Sequence, residues 1–266
     1  MKIRRLLLLA AMLPLAACVG QKDDLEPNIQ DNPEETTGES LGSQFYRRVL
    51  ALDFTATWCQ YCPNMQDALE EAQTARPGRF VELSLHLLDE MSPEESEALA
   101  TLFGVSGIPQ MVFDWDVSTK FNQPELARFT KYADEAVKQE ACGLAAHASI
   151  VNSQVELDVR VKPVQEGPCT VLAAIAEDGI VAYQTGYGDN YVNKAVIRSF
   201  LGGGLSGKPL SALKDGEGTV RFTAPAPASQ ENLYLVVFVL QDGKAVNVIR
   251  LGMNDTKDYE YEKDLE

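Results

Sequence analysis

Val49-Leu50-Ala51-Leu52-Asp53-Phe54-Thr55-Ala56-Thr57-Trp58-Cys59-Gln60-Tyr61-Cys62-Pro63 carries an apolar run directly into two cysteines separated by two residues. The run from Val49 to Phe54 reads as a buried strand, and Pro63 to Ala75, ended by Pro77-Gly78, reads as a helix. The dithiol therefore stands where a strand turns into a helix. Unpaired backbone N–H groups and the helix dipole stabilise a thiolate there and lower its pKa toward neutrality. Cys59 can then attack a disulfide in another molecule, and Cys62 can resolve the mixed disulfide from within the chain.

A CxxC pair alone also fits half a zinc site or a structural bridge. Three neighbouring features favour redox chemistry. Asp53 lies inside the apolar run, where a buried carboxyl has a raised pKa and can exchange a proton with Cys62. Gly107-Ile108-Pro109 stands directly before a short strand at Met111 to Phe113, and Trp58 forms an aromatic wall beside the nucleophile. Tyr61 either contacts substrate or covers the dithiol. His86, at the end of the next strand, either supports a thiolate or merely ends that strand. His147 belongs to an alternating strand further on. Neither histidine makes a recognisable zinc spacing with Cys59 and Cys62, so no metal and no cofactor are expected.

On the N-terminal side, Met1-Lys2-Ile3-Arg4-Arg5, an apolar run from Leu6 to Leu13, and Leu15-Ala16-Ala17-Cys18 read as a secretory signal over 1–17 with a lipobox. Cys18 becomes the lipidated first residue, a membrane attachment by lipid anchor. Residues 18–43 are rich in Asp, Glu, Pro and Gly with little to bury, and read as a disordered acidic tether. The net charge of -16 leaves no basic stripe for phosphates, which argues against nucleic acid. Of the five cysteines, Cys142 and Cys169 remain once Cys18, Cys59 and Cys62 are assigned. In an exported compartment they are expected to form a structural disulfide, worth about 3 to 4 kcal/mol by loop closure.

The character of the chain shifts near Cys142. Upstream, over 44–141, strands alternate with helices: Phe80 to Leu88 reads as an alternating strand. Ser92-Pro93-Glu94-Glu95 reads as a capping box opening a helix that Gly104 closes, and Asn122 or Gln123 as the cap of a helix from Pro124 to about Glu140. Downstream, over 142–254, short strands alternate with turn signals. Asn152-Ser153 separates two of them, and Asp242-Gly243 is the strongest hairpin signal. About seven strands there suggest an immunoglobulin-like sandwich. Gly202-Gly203-Gly204 lacks the lysine and hydroxyl of a phosphate loop and reads as a mobile turn. Residues 255–266 read as a frayed acidic tail, with Tyr259 and Tyr261 as the residues able to pack back.

Leu52 to Cys62 resembles the active-site segment of the thioredoxin superfamily, buried aspartate included, and Gly107-Ile108-Pro109 resembles its cis-proline loop. The resemblance implies a cis Ile108–Pro109 bond, with Ile108 offering its backbone to an extended substrate and Pro109 lying against the dithiol. Thr55 in place of tryptophan, Gln60-Tyr61 in place of Gly-Pro, and a longer stretch from Asp89 to Phe103 depart from that family. The whole mature chain resembles the outer-membrane-protein-28-related lipoproteins of Bacteroidota, which join a thioredoxin-like domain to an immunoglobulin-like one. Glu177-Asp178-Gly179-Ile180-Val181 with Gln184, Asn193 and Val196-Ile197-Arg198 resembles their C-terminal signature, except that Lys194-Ala195 stand where a histidine is usual. Gln21-Lys22-Asp23-Asp24 resembles their acidic surface-export signal.

The expected architecture is an α/β thioredoxin-like domain followed by an all-β immunoglobulin-like sandwich. The expected function is that of an outer-membrane lipoprotein, on the periplasmic side or the cell surface, with thiol-disulfide oxidoreductase activity. Catalysis falls to Cys59, Cys62 and Asp53, and substrate binding to Trp58, Tyr61, Ile108 and Pro109. Protein thiols and disulfides are the expected substrates, with a membrane electron donor as redox partner. The alternative is a non-catalytic surface binding protein that keeps the thioredoxin-like domain as scaffold and recognises its partner through the sandwich.

Overall fold

The apolar run before the dithiol forms β1 (Val49–Thr55), in a computed structural model that describes residues 44–264. The leader, Cys18 and the tether lie outside the described residues. After β1 come α1 (Cys62–Ala75), β2 (Phe80–His86), α2 (Glu94–Leu102), β3 (Gln110–Phe113), β4 (Lys120–Phe121) and α3 (Leu126–Ala136). β1 is central, parallel to β2 and antiparallel to β3. Its alternate residues serve opposite faces: Val49 and Ala51 pack with Met65 and Leu69 of α1 and Phe129 of α3, whereas Leu50, Leu52 and Phe54 pack with Leu99 of α2 and Phe103. β2 is the strand expected from Phe80, two residues shorter at its end, with Val81, Leu83 and Leu85 alternating onto the face that packs with α2 and every residue buried.

Helix ends depart from the sequence expectation. Pro93, not Ser92, caps α2, and no side-chain cap bond forms; Glu94, Glu95 and Glu97 complement the dipole in the first turn instead. Glu125 caps α3, so neither Asn122 nor Gln123 does, and the helix is shorter at both ends than expected.

The second half contributes β5 (Gly143–Val151), β6 (Gln154–Lys162), β7 (Cys169–Glu177), β8 (Ile180–Gln184), β9 (Gly188–Asn193), β10 (Val196–Phe200), β11 (Lys208–Pro209), β12 (Gly218–Pro225), β13 (Leu233–Gln241), β14 (Lys244–Gly252) and β15 (Asp255–Lys257). Asn152-Ser153 and Asp242-Gly243 close tight hairpins with positive φ at both central residues, as a type I′ turn requires. A sheet ordered β12-β6-β5-β15 faces β14-β13-β7 across a core that includes Leu157, Phe222, Val237 and Ile249. This is the expected sandwich, but one of its sheets does not stop at its own edge. β10 pairs antiparallel with β7 and parallel with β2 at Val196↔Ser84, which yields a nine-stranded sheet, β14-β13-β7-β10-β2-β1-β3-β4 with β11 on β7.

Cys142 and Cys169 are free thiols, not the expected disulfide. Cys142 precedes β5 in one sheet and Cys169 begins β7 in the other, and both serve the sandwich core as small apolar residues. Burial pushes the Cys142 thiol up to about 12, far from a reactive thiolate. Residues 255–264 are not frayed. Phe45 stacks on Tyr261 at 5.0 Å, Glu262 pairs with Arg79 at 2.7 Å, and the Arg47 N–H donates to Glu262 at 3.1 Å.

A buried ion pair fastens the halves. The Arg47 guanidinium meets Asp114 at 2.7 Å and donates to the Ala245 carbonyl at 3.0 Å, while Asp114 accepts from the Leu50 N–H at 2.9 Å and the Tyr132 hydroxyl at 3.2 Å. Removing one member leaves the other charge buried without compensation. Asp114→Asn is therefore expected to lower the unfolding free energy by about 3 to 5 kcal/mol. Asp134→Asn, which breaks the half-exposed Arg76–Asp134 pair, should cost far less, since solvent screens that pair. Denaturant titrations of the two variants check the contrast, and equal losses would contradict it.

Candidate redox site

The chain leaves β1 through Ala56-Thr57-Trp58 and closes a tight turn, with Cys59 N–H donating to Ala56 O at 3.1 Å and Cys62 N–H to Cys59 O at 3.4 Å. Cys62 is the first residue of α1, and Pro63 follows where a missing N–H costs nothing. Cys59 and Cys62 are bonded to each other, with Cα atoms 5.5 Å apart. Cys59 is 6% exposed and Cys62 1%, so an incoming group meets Cys59 first. The Ile108–Pro109 peptide is cis, as the thioredoxin resemblance implied, and Ile108 packs with Ala56, Cys59 and Cys62. Trp58, half exposed, donates its indole N–H to Leu87 O at 3.0 Å. With Leu88, Val105 and Ile108 it walls a groove of about 300 Å³ beside the dithiol. Tyr61 points into solvent, 62% exposed.

Asp53 is buried on the face of β1 that α1 covers, and its Oδ1 has no hydrogen-bond partner. Burial alone pushes its carboxyl up to about 7. Such an acid holds or releases a proton near neutral pH.

His86 is buried too, but its Nδ1 engages Asp89 at 2.8 Å. Asp89 in turn accepts from the Thr57 N–H at 2.8 Å and the Met91 N–H at 2.9 Å. Burial raises the Asp89 pKa, yet the bonds from His86, Thr57 and Met91, with the charge of His86, outweigh it and hold the carboxyl below its ordinary value. His86 thus braces the turn that leads to Trp58. His147 is exposed and bonds Thr256 at 2.8 Å.

Sequence reasoning attached no role to Gln184, which now has one. β8 and β9 pair as a hairpin that lies over the dithiol turn and α1. The Gln184 amide donates to Cys59 O at 2.7 Å and Ala56 O at 3.2 Å, and the Thr185 N–H donates to Thr57 O at 2.8 Å. Tyr187 reaches Asn64 at 3.1 Å, Tyr191 reaches Gln66 at 2.7 Å, and Lys194 pairs with Glu70. The advance sign was the place of Gln184 in the stretch that resembles the family's C-terminal signature.

The model of outer membrane protein Omp28 matches residues 96–257, and the thioredoxin model matches residues 37–128. The chain belongs to the Omp28 outer membrane protein family. Membership places this Omp28-family chain in the cell envelope. The matched region runs from α2 to the end of β15, so it takes in the cis-proline loop and the hairpin over the dithiol. Among solved structures, HBP35 of Porphyromonas gingivalis is similar, with 17% identity and a TM-score of 0.68 over 79% of this chain and 76% of that one. A protein from Agrobacterium tumefaciens is similar at 17% identity and a TM-score of 0.55, over 81% of this chain and 98% of its own. At such identities the likeness is one of fold: a thioredoxin-like domain followed by a largely β domain. No match was found among curated proteins.

Two outcomes follow from this geometry. Gln184→Ala leaves two backbone acceptors without their donor, and is expected to cost about 1 to 3 kcal/mol and to speed amide exchange in the turn from Ala56 to Cys62. Unchanged exchange there would show that the hairpin does not hold the turn. Asp53 binds its proton more tightly folded than unfolded, so stability falls as pH rises from about 4 to about 7. Asp53→Asn should therefore match the parent near pH 4 and exceed it by on the order of 4 kcal/mol above pH 8, measured by denaturant titration across pH.

Proposed function

We propose that this chain is a lipid-anchored envelope protein that exchanges thiols and disulfides with other proteins. The observation that carries the reading is the bonded Cys59–Cys62 pair at the start of α1, packed against Ile108 of the cis-proline loop and set over the buried, unpartnered Asp53. A static structural bridge needs neither a buried acid whose carboxyl is pushed up to about 7 nor a groove walled by Trp58 and Ile108 beside it.

In the reducing direction, the Cys59 thiolate attacks a substrate disulfide, forms a mixed disulfide and expels one substrate thiolate, which takes a proton from solvent. Asp53 as carboxylate accepts the Cys62 proton. The Cys62 thiolate then attacks Cys59 Sγ, closing the intramolecular disulfide and releasing the second substrate thiolate. Two electrons pass from the dithiol to the substrate. Oxidation of a substrate dithiol runs the same steps backward, with protonated Asp53 as acid toward the departing Cys62 sulfur. Trp58, Tyr61 and Ile108 flank the attacked sulfur and receive an extended segment of the substrate, with Pro109 holding the Ile108 backbone in place. Lipidation of Cys18 ties the domain to the outer membrane, on its periplasmic side or at the cell surface. A membrane electron donor would renew the dithiol for repeated reduction.

Cys62→Ser is expected to accumulate mixed disulfides through Cys59 in cells, and Cys59→Ser to accumulate none. Turnover of a model protein disulfide should fall about a thousandfold or more in both variants. An unreactive parent protein, with no trapped partner in Cys62→Ser, would overturn this function and favour the scaffold alternative.

A further inference from the structure

The groove beside the dithiol has one charged wall. Trp58, Leu88, Val105 and Ile108 make it apolar, and Glu97 of α2 brings a carboxylate to it. Glu97 belongs to the stretch from Asp89 to Phe103 that is longer than the thioredoxin resemblance implies, so the resemblance gives it no task. Two consecutive residues hold both the ring and the acid in place. The Leu87 carbonyl accepts the Trp58 indole N–H at 3.0 Å, and the Leu88 N–H donates to Glu97 Oε1 at 3.0 Å. Leu88 itself stands at φ 56°, a left-handed conformation that a Cβ disfavours, and its side chain is 77% exposed.

We propose that this groove is a subsite for a lysine or arginine side chain that stands beside the reacting cysteine of the protein substrate. The inference rests on the exchange function above and names the substrates it favours, proteins whose disulfide is flanked by a basic residue. Ile108 packs against Cys59 and also lines the groove, so a chain bonded to that sulfur lays a neighbouring side chain along it. The aliphatic stem packs on Leu88, Val105 and Ile108. The cationic head reaches the Glu97 carboxylate, and the Trp58 indole offers its face to the same head.

Charge and room both favour this occupant. Glu97 is the one charged residue of the lining and makes no ion pair among the described residues, whereas Asp89 nearby is taken up by His86, Thr57 and Met91. Lys120 donates to the Gly104 carbonyl at 3.4 Å and is not bonded to Glu97. Glu94 and Glu95 share the first turn of α2 with Glu97, and the chain carries a net charge of -16, so the field at the groove draws cations and repels acidic segments. A purely apolar side chain would fill the walls and leave the carboxylate without a partner. At about 300 Å³ the cavity lies at the small end of ligand pockets and takes a single long side chain.

Disulfide exchange with a set of short peptides tests the subsite. The full chain is reduced, freed of reductant and mixed by stopped flow with disulfide-bridged peptides that differ only in the residues flanking the cysteine: lysine, norleucine or glutamate. Norleucine keeps the aliphatic stem and lacks the charge. Each rate is divided by that of the same peptide with glutathione, because a flanking charge also changes the reactivity of the disulfide itself. The lysine peptide is expected to react about fivefold to tenfold faster than the norleucine peptide at low salt, with the glutamate peptide slowest and the lysine advantage shrinking at high salt. Glu97→Gln keeps an oxygen for the Leu88 N–H and is expected to remove that advantage. Equal rates for lysine and norleucine in the parent, or a lysine advantage that survives Glu97→Gln, would overturn the subsite and leave the exchange function standing. A reduced parent that reacts neither with the peptides nor with glutathione disulfide would instead overturn the exchange function, and the subsite with it.

Discussion

β2 is buried along its whole length, and the fold is organised by that constraint. Every residue of the strand is buried, so the backbone groups on the side away from β1 need partners. The segment that opens β10 supplies one at the middle of the strand: Ser84 N–H donates to Ala195 O at 2.7 Å, and Val196 lies in register with Ser84. The sandwich is therefore the continuation of the central sheet. One apolar cluster runs through the junction, in which Phe103 packs on Trp115 at 5.2 Å and Trp115 on Phe238 of β13 at 5.3 Å. A strand pairing at this edge thereby makes the thioredoxin-like half and the sandwich half share a core.

The same pairing explains how a segment far along the chain comes to hold the dithiol. β8 and β9 lie between β7 and β10 in sequence, and both flanking strands are fixed in the large sheet. The connection has to rise above the sheet beside α1, where Gln184, Thr185, Tyr187 and Tyr191 find the carbonyls and side chains of the turn and helix. Arg47–Asp114 and the Asn247 amide, which donates to Tyr46 O at 3.0 Å and Cys142 O at 2.9 Å, do related work at the opposite end. These buried polar contacts add specificity of docking to an apolar junction that has little directionality of its own.

What could be read from the sequence is what is local. Val49 to Pro63 combines a buried strand, a turn and a helix start in fifteen consecutive residues, and Asn152-Ser153 and Asp242-Gly243 declare their hairpins by residue type. Pairings between distant residues left no such mark: nothing near Ser84 announces Val196, and β9, with Gly188, Asp189 and Asn190 at its start, lacks a strand's apolar alternation. Counting cysteines suggested a bond between Cys142 and Cys169 because counting contains no geometry; the core accepts both as thiols. Ser92 carried a capping pattern, but Pro93 took the cap position itself. Asp53 was legible as a buried acid, whereas Glu82 was not, since the strand that pairs beside it on β2, β10, comes from far along the chain.

Electrostatics along α1 separate the two cysteines more sharply than their spacing does. At the helix start, free N–H groups favour negative charge, and Cys59 is the sulfur nearer to solvent. Beneath the helix the sheet offers Asp53 and Glu82, neither matched by a hydrogen-bonded cation, so any charge there meets like charge in a dry environment. In a reduced pair this asymmetry would make Cys59 the thiolate and leave Cys62 protonated until a base relieves it. Asp53 can be that base only while it is itself ionised, and each ionisation beneath the helix makes the next less favourable. In the proposed exchange, the timing of resolution is thus tied to the protonation of the sheet below.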